Sequence, residues 1–144
     1  MKIKFQKLNV GAIVPTYGTE HSAGLDMAAC IDEAVTIAPS QIVMIGTGLA
    51  VEIPYGYFGM LCPRSGLAAK LGITLLNSPG VIDSDYRGEI KAIMINHSTS
   101  DFRVSYGMRI AQLIISPFQT AILEEVEVLE VSGRGSNGFG STGI

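Results

Sequence analysis

Hydrophobic and polar side chains alternate with a period of two in three short segments of this chain. The segments are residues 2–5, 89–93 and 125–128. Alternation of this kind predicts strands that turn one face to a core and the other to water. Three continuous apolar runs of strand length also occur, at residues 42–45, 57–62 and 113–115. We expect those runs to form strands covered on both faces.

Turn-forming Pro, Gly and Ser residues separate these segments about every 8 to 12 residues, which is the spacing of an all-β sandwich or barrel. Residues 65–72 are the exception and have a helical pattern of one or two turns. Ser65 is a candidate N-cap for this helix, and Gly72 is a candidate C-terminal stop. The sequence therefore predicts one all-β domain over residues 1–131 with a single short helix.

The composition narrows the classes of function. The chain has 144 residues and a net charge of −3, with 47% apolar and 16% charged side chains. A charged share below the roughly 25% of ordinary soluble domains predicts that some surface is buried against copies of the same chain. No basic cluster is present for duplex nucleic acid, and no apolar run approaches the roughly 20 residues of a membrane helix.

The first ten residues resemble neither a signal peptide nor a transit peptide. We therefore expect a cytoplasmic protein, or a nuclear one if the source is eukaryotic. Cys30 and Cys62 have no metal-binding or redox spacing, so reduced, buried thiols are expected. His21 and His97 lie in polar contexts that favour surface positions.

Residues 132–144 form a segment of different composition, with five of the 17 glycines. A frayed chain end is one interpretation of such a segment. Arg134, Phe139 and Thr142 favour another, because a guanidinium and hydroxyls bind phosphate oxygens and an aromatic ring stacks on a base. The segment lacks the Lys-Ser/Thr pair of a P-loop. We expect a flexible arm that orders over a nucleotide.

Four further stretches place polar residues at candidate turns. Their sequences are AGLD at 23–26, PRSG at 63–66, NSPGVIDSDYRG at 77–88 and RIAQLI at 109–114. Each has a plain structural alternative: a capped turn, a Ser-capped helix, a solvated hairpin and an edge strand. PRSG also falls at the start of the predicted helix, where free backbone amides favour an anion.

Together with RGSNGFGSTG, these stretches resemble the five motifs of the trimeric deoxyuridine triphosphatases, in order and over about residues 22–143. The resemblance implies a jelly-roll homotrimer with three active sites at subunit interfaces, each assembled from more than one chain. It also implies hydrolysis of dUTP to dUMP and pyrophosphate, by attack of water on the α-phosphorus. Mg²⁺ would be bound by the triphosphate.

The resemblance also assigns roles to single residues. Asp83 matches the carboxylate that activates water, Tyr86 the residue under deoxyribose, and Phe139 the ring that stacks on the base. Asp26 matches an acid that reaches Mg²⁺ through bound water. The other implied substrate contacts, to the phosphates, to uracil and in the closing arm, are Arg64, Ser65, Gly66, Asn77, Gly80, Val81, Ile82, Gln112, Arg134, Gly140, Ser141 and Thr142.

Two alternatives to this reaction stay open at this point. Deamination of dCTP would need a glutamate near the base, and Glu89 is the candidate. A β-trimer that decorates a capsid or binds a regulator would need none of the assigned chemistry.

Overall fold

The computed structural model describes residues 1–138 and 141. In that part of the chain there are twelve strands and one helix, labelled in chain order. The elements are β1 Lys4–Lys7, β2 Thr16–Tyr17, β3 Leu25–Ala28, β4 Val35–Ile37, β5 Ile42–Gly46, β6 Leu49–Glu52, β7 Tyr57–Cys62, α1 Ser65–Leu71, β8 Ile73–Leu75, β9 Gly80–Ile82, β10 Lys91–Asn96, β11 Phe102–Val104 and β12 Arg109–Pro117.

The strands form four antiparallel sheets. The largest has the order β2-β3-β12-β7-β9, a second has the order β5-β10-β8, and β1-β6 and β4-β11 form two-stranded sheets. One apolar core joins them, with buried side chains such as Ile37 on β4, Ile45 on β5, Val51 on β6 and Leu113 on β12. Sheets that share one core in this way make a β-sandwich, and the predicted all-β jelly-roll class is confirmed.

The short helix is also confirmed, although its first cap is not the predicted one. Ser65 is the first helical residue and not the N-cap; Arg64 precedes it in extended conformation, without a side-chain cap. The helix ends at Gly72, whose φ of 64° is the left-handed geometry that favours glycine.

Several predicted burial patterns are wrong in the single chain. Residues 125–128 form no strand, and β1 is exposed along its whole length. On β5 the side chains of Ile42 and Met44 are exposed, where a strand covered on both faces was expected. Within the described residues these apolar faces have no covering layer.

Both cysteines carry free thiols and are half-buried. Burial raises the pKa of Cys62, and burial followed by the nearby Glu89 and Asp32 carboxylates raises the pKa of Cys30. The two histidines are exposed, as expected. No helix among the described residues is long and apolar enough to cross a membrane.

Candidate functional site

Three of the singled-out stretches meet at one end of the largest sheet. Gln112 on β12 lies opposite Asp26 on β3 and opposite Cys62 on β7. Because β7 runs directly into Pro63 and Arg64, the pairing of these three strands brings AGLD, PRSG and RIAQLI together. We call Asp26, Arg64, Arg109 and Gln112 the charged cluster.

The Asp26 carboxylate is the centre of this cluster. Arg109 Nη1 donates to Asp26 Oδ2 at 2.8 Å, and Arg64 Nε lies 3.2 Å from Oδ1. Arg64 Nη1 also donates to the backbone oxygen of Arg109, at 3.2 Å. The Asp26 side chain is only 15% exposed. Two guanidinium groups close to one carboxylate fix its orientation.

The geometry of the Arg64 ion pair is not that of a full hydrogen bond, since Arg64 Nε is a buried nitrogen without an acceptor in hydrogen-bond orientation. At 3.2 Å the attraction is mainly that of two charges. Gly24 makes room for the neighbouring amide, because a Cβ there would lie 2.8 Å from Gln112 Oε1. Its place in AGLD is therefore explained by packing.

A groove of about 230 Å³ lies beside β9. Six of the residues assigned by resemblance line it, namely Asn77, Gly80, Val81, Ile82, Asp83 and Tyr86. The amide of Asn77 packs over Gly80, where a Cβ would lie 3.1 Å from Asn77 Nδ2. Strand β9 pairs with β7 on one side only and forms the edge of its sheet. Its other edge therefore carries backbone donors and acceptors that have no strand partner among the described residues.

A tight turn at the end of β9 places Asp83 and Tyr86. The backbone N–H of Tyr86 donates to the carbonyl of Asp83 at 3.1 Å. Arg87 Nη1 donates to the carbonyls of Ser84 and Tyr86, at 2.7 and 3.0 Å. The turn leaves the Asp83 side chain exposed at the groove, where a carboxylate is accessible to water and ligand.

The charged cluster and the groove do not coincide within one chain. In the pairing of β7, Gln112 lies opposite Cys62, whereas Ile82, next to Asp83, lies opposite Gly59. Cys62 and Gly59 are three residues apart, which is roughly 10 Å along a strand. Asp83 therefore lies toward one end of β7, and Arg64 lies beyond the other.

The described residues of the C-terminal arm, 132–138 and 141, form a third group with its own hydrogen bonds. The N–H of Phe118 donates to Gly56, and beyond it the described hydrogen bonds of the tail join only tail residues, such as Arg134 Nε to the carbonyl of Asn137 at 2.8 Å. Arg134 and Ser141 are exposed. Phe139, Gly140 and Thr142 lie outside the described residues.

Two residues that the resemblance did not assign to the site contact it. Arg109 donates to Asp26 at 2.8 Å; its position in the RIAQLI stretch signals a place in the site but does not identify its partner. Glu89 lines the groove, and its Oε1 accepts a hydrogen bond from the N–H of Gly48 at 2.8 Å. One carboxylate oxygen of Glu89, the glutamate considered for deamination, is therefore already a hydrogen-bond acceptor for the backbone.

Comparison with known proteins gives one consistent family. The family model described as dUTPase matches residues 11–143. Deoxyuridine 5'-triphosphate nucleotidohydrolase from Rickettsia akari is 51% identical over 144 residues, covering 99% of this chain and 97% of that protein. The protein of the same name from Nautilia profundicola is 52% identical over 143 residues, covering 99% of both.

A solved structure has the same fold. The Staphylococcus bacteriophage 80alpha dUTPase G164S mutant with dUpNHpp superposes with a TM-score of 0.91 at 29% identity, and the match covers 99% of both chains. Both the sequence and the architecture match over nearly the whole length. The chain therefore belongs to the dUTPase family.

Proposed function

We propose that this protein hydrolyses dUTP to dUMP and pyrophosphate, by attack of water on the α-phosphorus. The observation that carries the proposal is an exposed carboxylate, Asp83, beside a groove whose edge strand offers unpaired backbone groups. The solved bacteriophage dUTPase contains dUpNHpp, which supports a ligand of that kind for this protein. The bacterial origin of the similar proteins favours the cytoplasm as the place of action.

Asp83 is the general base of the proposed reaction. Its carboxylate orients a water molecule and takes a proton as the oxygen attacks the α-phosphorus. The new phosphorus–oxygen bond forms while the bond to the bridging oxygen of the β-phosphate breaks, and pyrophosphate leaves. Phosphoryl transfer needs mainly positioning and stabilisation of charge, so one base and several phosphate donors are a sufficient set.

The proposed phosphate donors come from the charged cluster and from the first residues of α1. Arg64, Ser65, Gly66 and Gln112 lie where β7 and β12 meet the start of α1. The first amides of a helix have no acceptor within the helix, so those of Ser65 and Gly66 can bind phosphate oxygens. Arg134, Ser141 and Thr142 would add donors when the arm closes, with Gly140 and Phe139 beside them.

The donor set fits Mg²⁺ held chiefly by the triphosphate. The described residues contain no group of three or more His, Cys, Asp or Glu side chains that could hold a metal. Each Asp26 oxygen faces an arginine, and each has a further lone pair. Asp26 would therefore accept a hydrogen bond from a water on the ion and not bind the ion directly. When bound, the ion neutralises charge on the phosphate oxygens.

Recognition of uracil is assigned to β9 and the turns beside it. Backbone N–H and C=O groups of Gly80, Val81 and Ile82 would pair with the base, and the Asn77 amide would close its side. A site built from fixed polar groups rejects an analogue that leaves them unpaired. Cytosine is refused on that ground, and thymine because its 5-methyl group meets the strand.

Tyr86→Ala is expected to lower the preference for dUTP over UTP by about tenfold or more, because the ring no longer fills the space of a 2′-hydroxyl. The measurement is the ratio of kcat/KM for the two nucleotides. Tyr106→Ala is the matched control, since Tyr106 is also exposed and also donates its hydroxyl to a backbone carbonyl, that of Gly11 at 2.7 Å. An unchanged ratio in Tyr86→Ala would refute the sugar role.

We propose that three copies of the chain form a trimer whose active sites combine groups from different copies. The groove, the charged cluster and the arm are separate in one chain, and a three-fold assembly brings such groups together from different copies. The segment 119–131 supports this, because its large apolar residues are exposed, Ile122 at 96% and Val131 at 101%. A segment of that composition is covered by another copy.

The proposed function is tested by incubating the pure protein with Mg²⁺ and each deoxynucleoside triphosphate in turn. Pyrophosphate and a monophosphate are expected from dUTP alone. Ammonia from dCTP would support the deaminase alternative, and no product from any nucleotide would support a non-enzymatic β-trimer.

A further inference from the structure

Glu89 connects the groove to a distant turn of the sandwich. Its Oε1 accepts the N–H of Gly48 at 2.8 Å, and its Oε2 pairs with Lys91 Nζ at 3.3 Å. The carboxylate lies directly against Gly46, where a Cβ would be 2.5 Å from Oε1. Gly48 has a φ of +67°, so the turn between β5 and β6 presents its amide in a geometry that favours glycine.

The backbone of the same residue holds Tyr86. The Tyr86 hydroxyl donates to the carbonyl of Glu89 at 3.0 Å. Gly88 lies under the ring, and a Cβ there would overlap the Tyr86 hydroxyl. The ring is 46% exposed, so this hydrogen bond and the glycine beneath it are its main restraints. The position of the ring therefore depends on where the Glu89 carbonyl is held.

We propose that Glu89 is a positioning residue for sugar discrimination, acting through a tether from the Gly48 amide to the Tyr86 hydroxyl. The inference rests on the proposed role of Tyr86. The carboxylate fixes residue 89 against the β5–β6 turn, and its carbonyl fixes the ring at the depth that excludes a 2′-hydroxyl. A carboxylate that accepts a backbone N–H makes a short, strong bond, which suits it to this task.

Removing the tether is expected to leave the protein folded, because the next residue, Ile90, has its own hydrogen bonds. Ile90 is held independently, because Thr47 Oγ1 donates to its carbonyl at 2.7 Å and its N–H donates to Leu49 at 2.8 Å. The Ile90 N–H and the Glu89 carbonyl belong to one peptide group, so the bond to Leu49 keeps β10 in place, while loss of the carboxylate removes the second restraint on the carbonyl that Tyr86 uses. The expected defect is one of selectivity.

Three variants test the tether by the ratio of kcat/KM for dUTP over UTP. Glu89→Ala is expected to lower the ratio about tenfold, as a misplaced binding group does. Glu89→Gln keeps an oxygen for the Gly48 amide and is expected to stay within about twofold of the parent. The matched control is Glu33→Ala, since Glu33 is an exposed glutamate on the loop before β4.

Tyr86→Phe keeps the ring, removes the bond to Glu89 and needs no change at residue 89, so it tests the tether even if Glu89→Ala does not fold. It is expected to lower the ratio in the same direction. A parental ratio in Tyr86→Phe, an equal loss of activity on both nucleotides in Glu89→Ala, or a Glu89→Gln variant as unselective as Glu89→Ala would each overturn the inference. Failure of Tyr86→Ala to change the ratio would instead overturn the proposed role of Tyr86 itself.

Discussion

Asp83→Asn is expected to lower the turnover number for dUTP by about 10²-fold or more, the usual contribution of a general base. The amide keeps the shape of the side chain at the groove and removes its ability to accept a proton. Binding should survive, because Asp83 is assigned to water and not to the phosphates. The measurements are kcat at saturating dUTP and the affinity for dUpNHpp by calorimetry.

The matched control for this change is Asp101→Asn, an exposed aspartate on the loop before β11. It should keep the parental turnover number. A turnover number for Asp83→Asn within about threefold of the parent would remove Asp83 from the role of general base.

Truncation after Val131 is expected to leave a folded trimer with little catalysis. The hydrogen bonds of the arm's described residues are internal, so truncation breaks none of the described bonds within the sandwich. The closed site loses its assigned phosphate donors and the ring over the base, a loss of about 10²-fold in kcat by the scale of positioning effects. Steady-state kinetics and sedimentation measure the two properties separately.

A point variant tests a phosphate donor of the arm without shortening the chain. Arg134→Ala should also reduce kcat, while Arg103→Ala, an exposed arginine on β11, should not. An unaltered turnover number in the truncated protein would contradict the arm's role in closure.

The alternation of side chains and the turn residues were sufficient to predict the β class and the short helix. Local physics determines both, because a period of two buries one face of a strand and Gly72 ends a helix with its left-handed φ. Burial was predicted less well. Hydrophobicity indicates that Met44 and Val128 are covered but does not say by which chain, and both are exposed here.

The resemblance provided the residue types of the site, but not their arrangement. Six of them line one groove, and register places Gln112 opposite Asp26. The partnership of Arg109 with Asp26 depends on strand pairing between residues 83 positions apart, and no local pattern reports it. The bond from Gly48 to Glu89 is also long-range, so no local pattern shows that the glutamate considered for proton transfer accepts a backbone N–H.

The most direct test of a site shared between copies is to mix two inactive variants. Trimers that contain both Asp83→Asn chains and chains truncated after Val131 can be isolated with two affinity tags. If base and arm come from different copies, about one site in three combines the Asp83 of a truncated chain with the arm of its neighbour. The mixed trimers should then regain dUTP hydrolysis that neither pure variant has. Verified mixed trimers as inactive as the two parents would contradict the account.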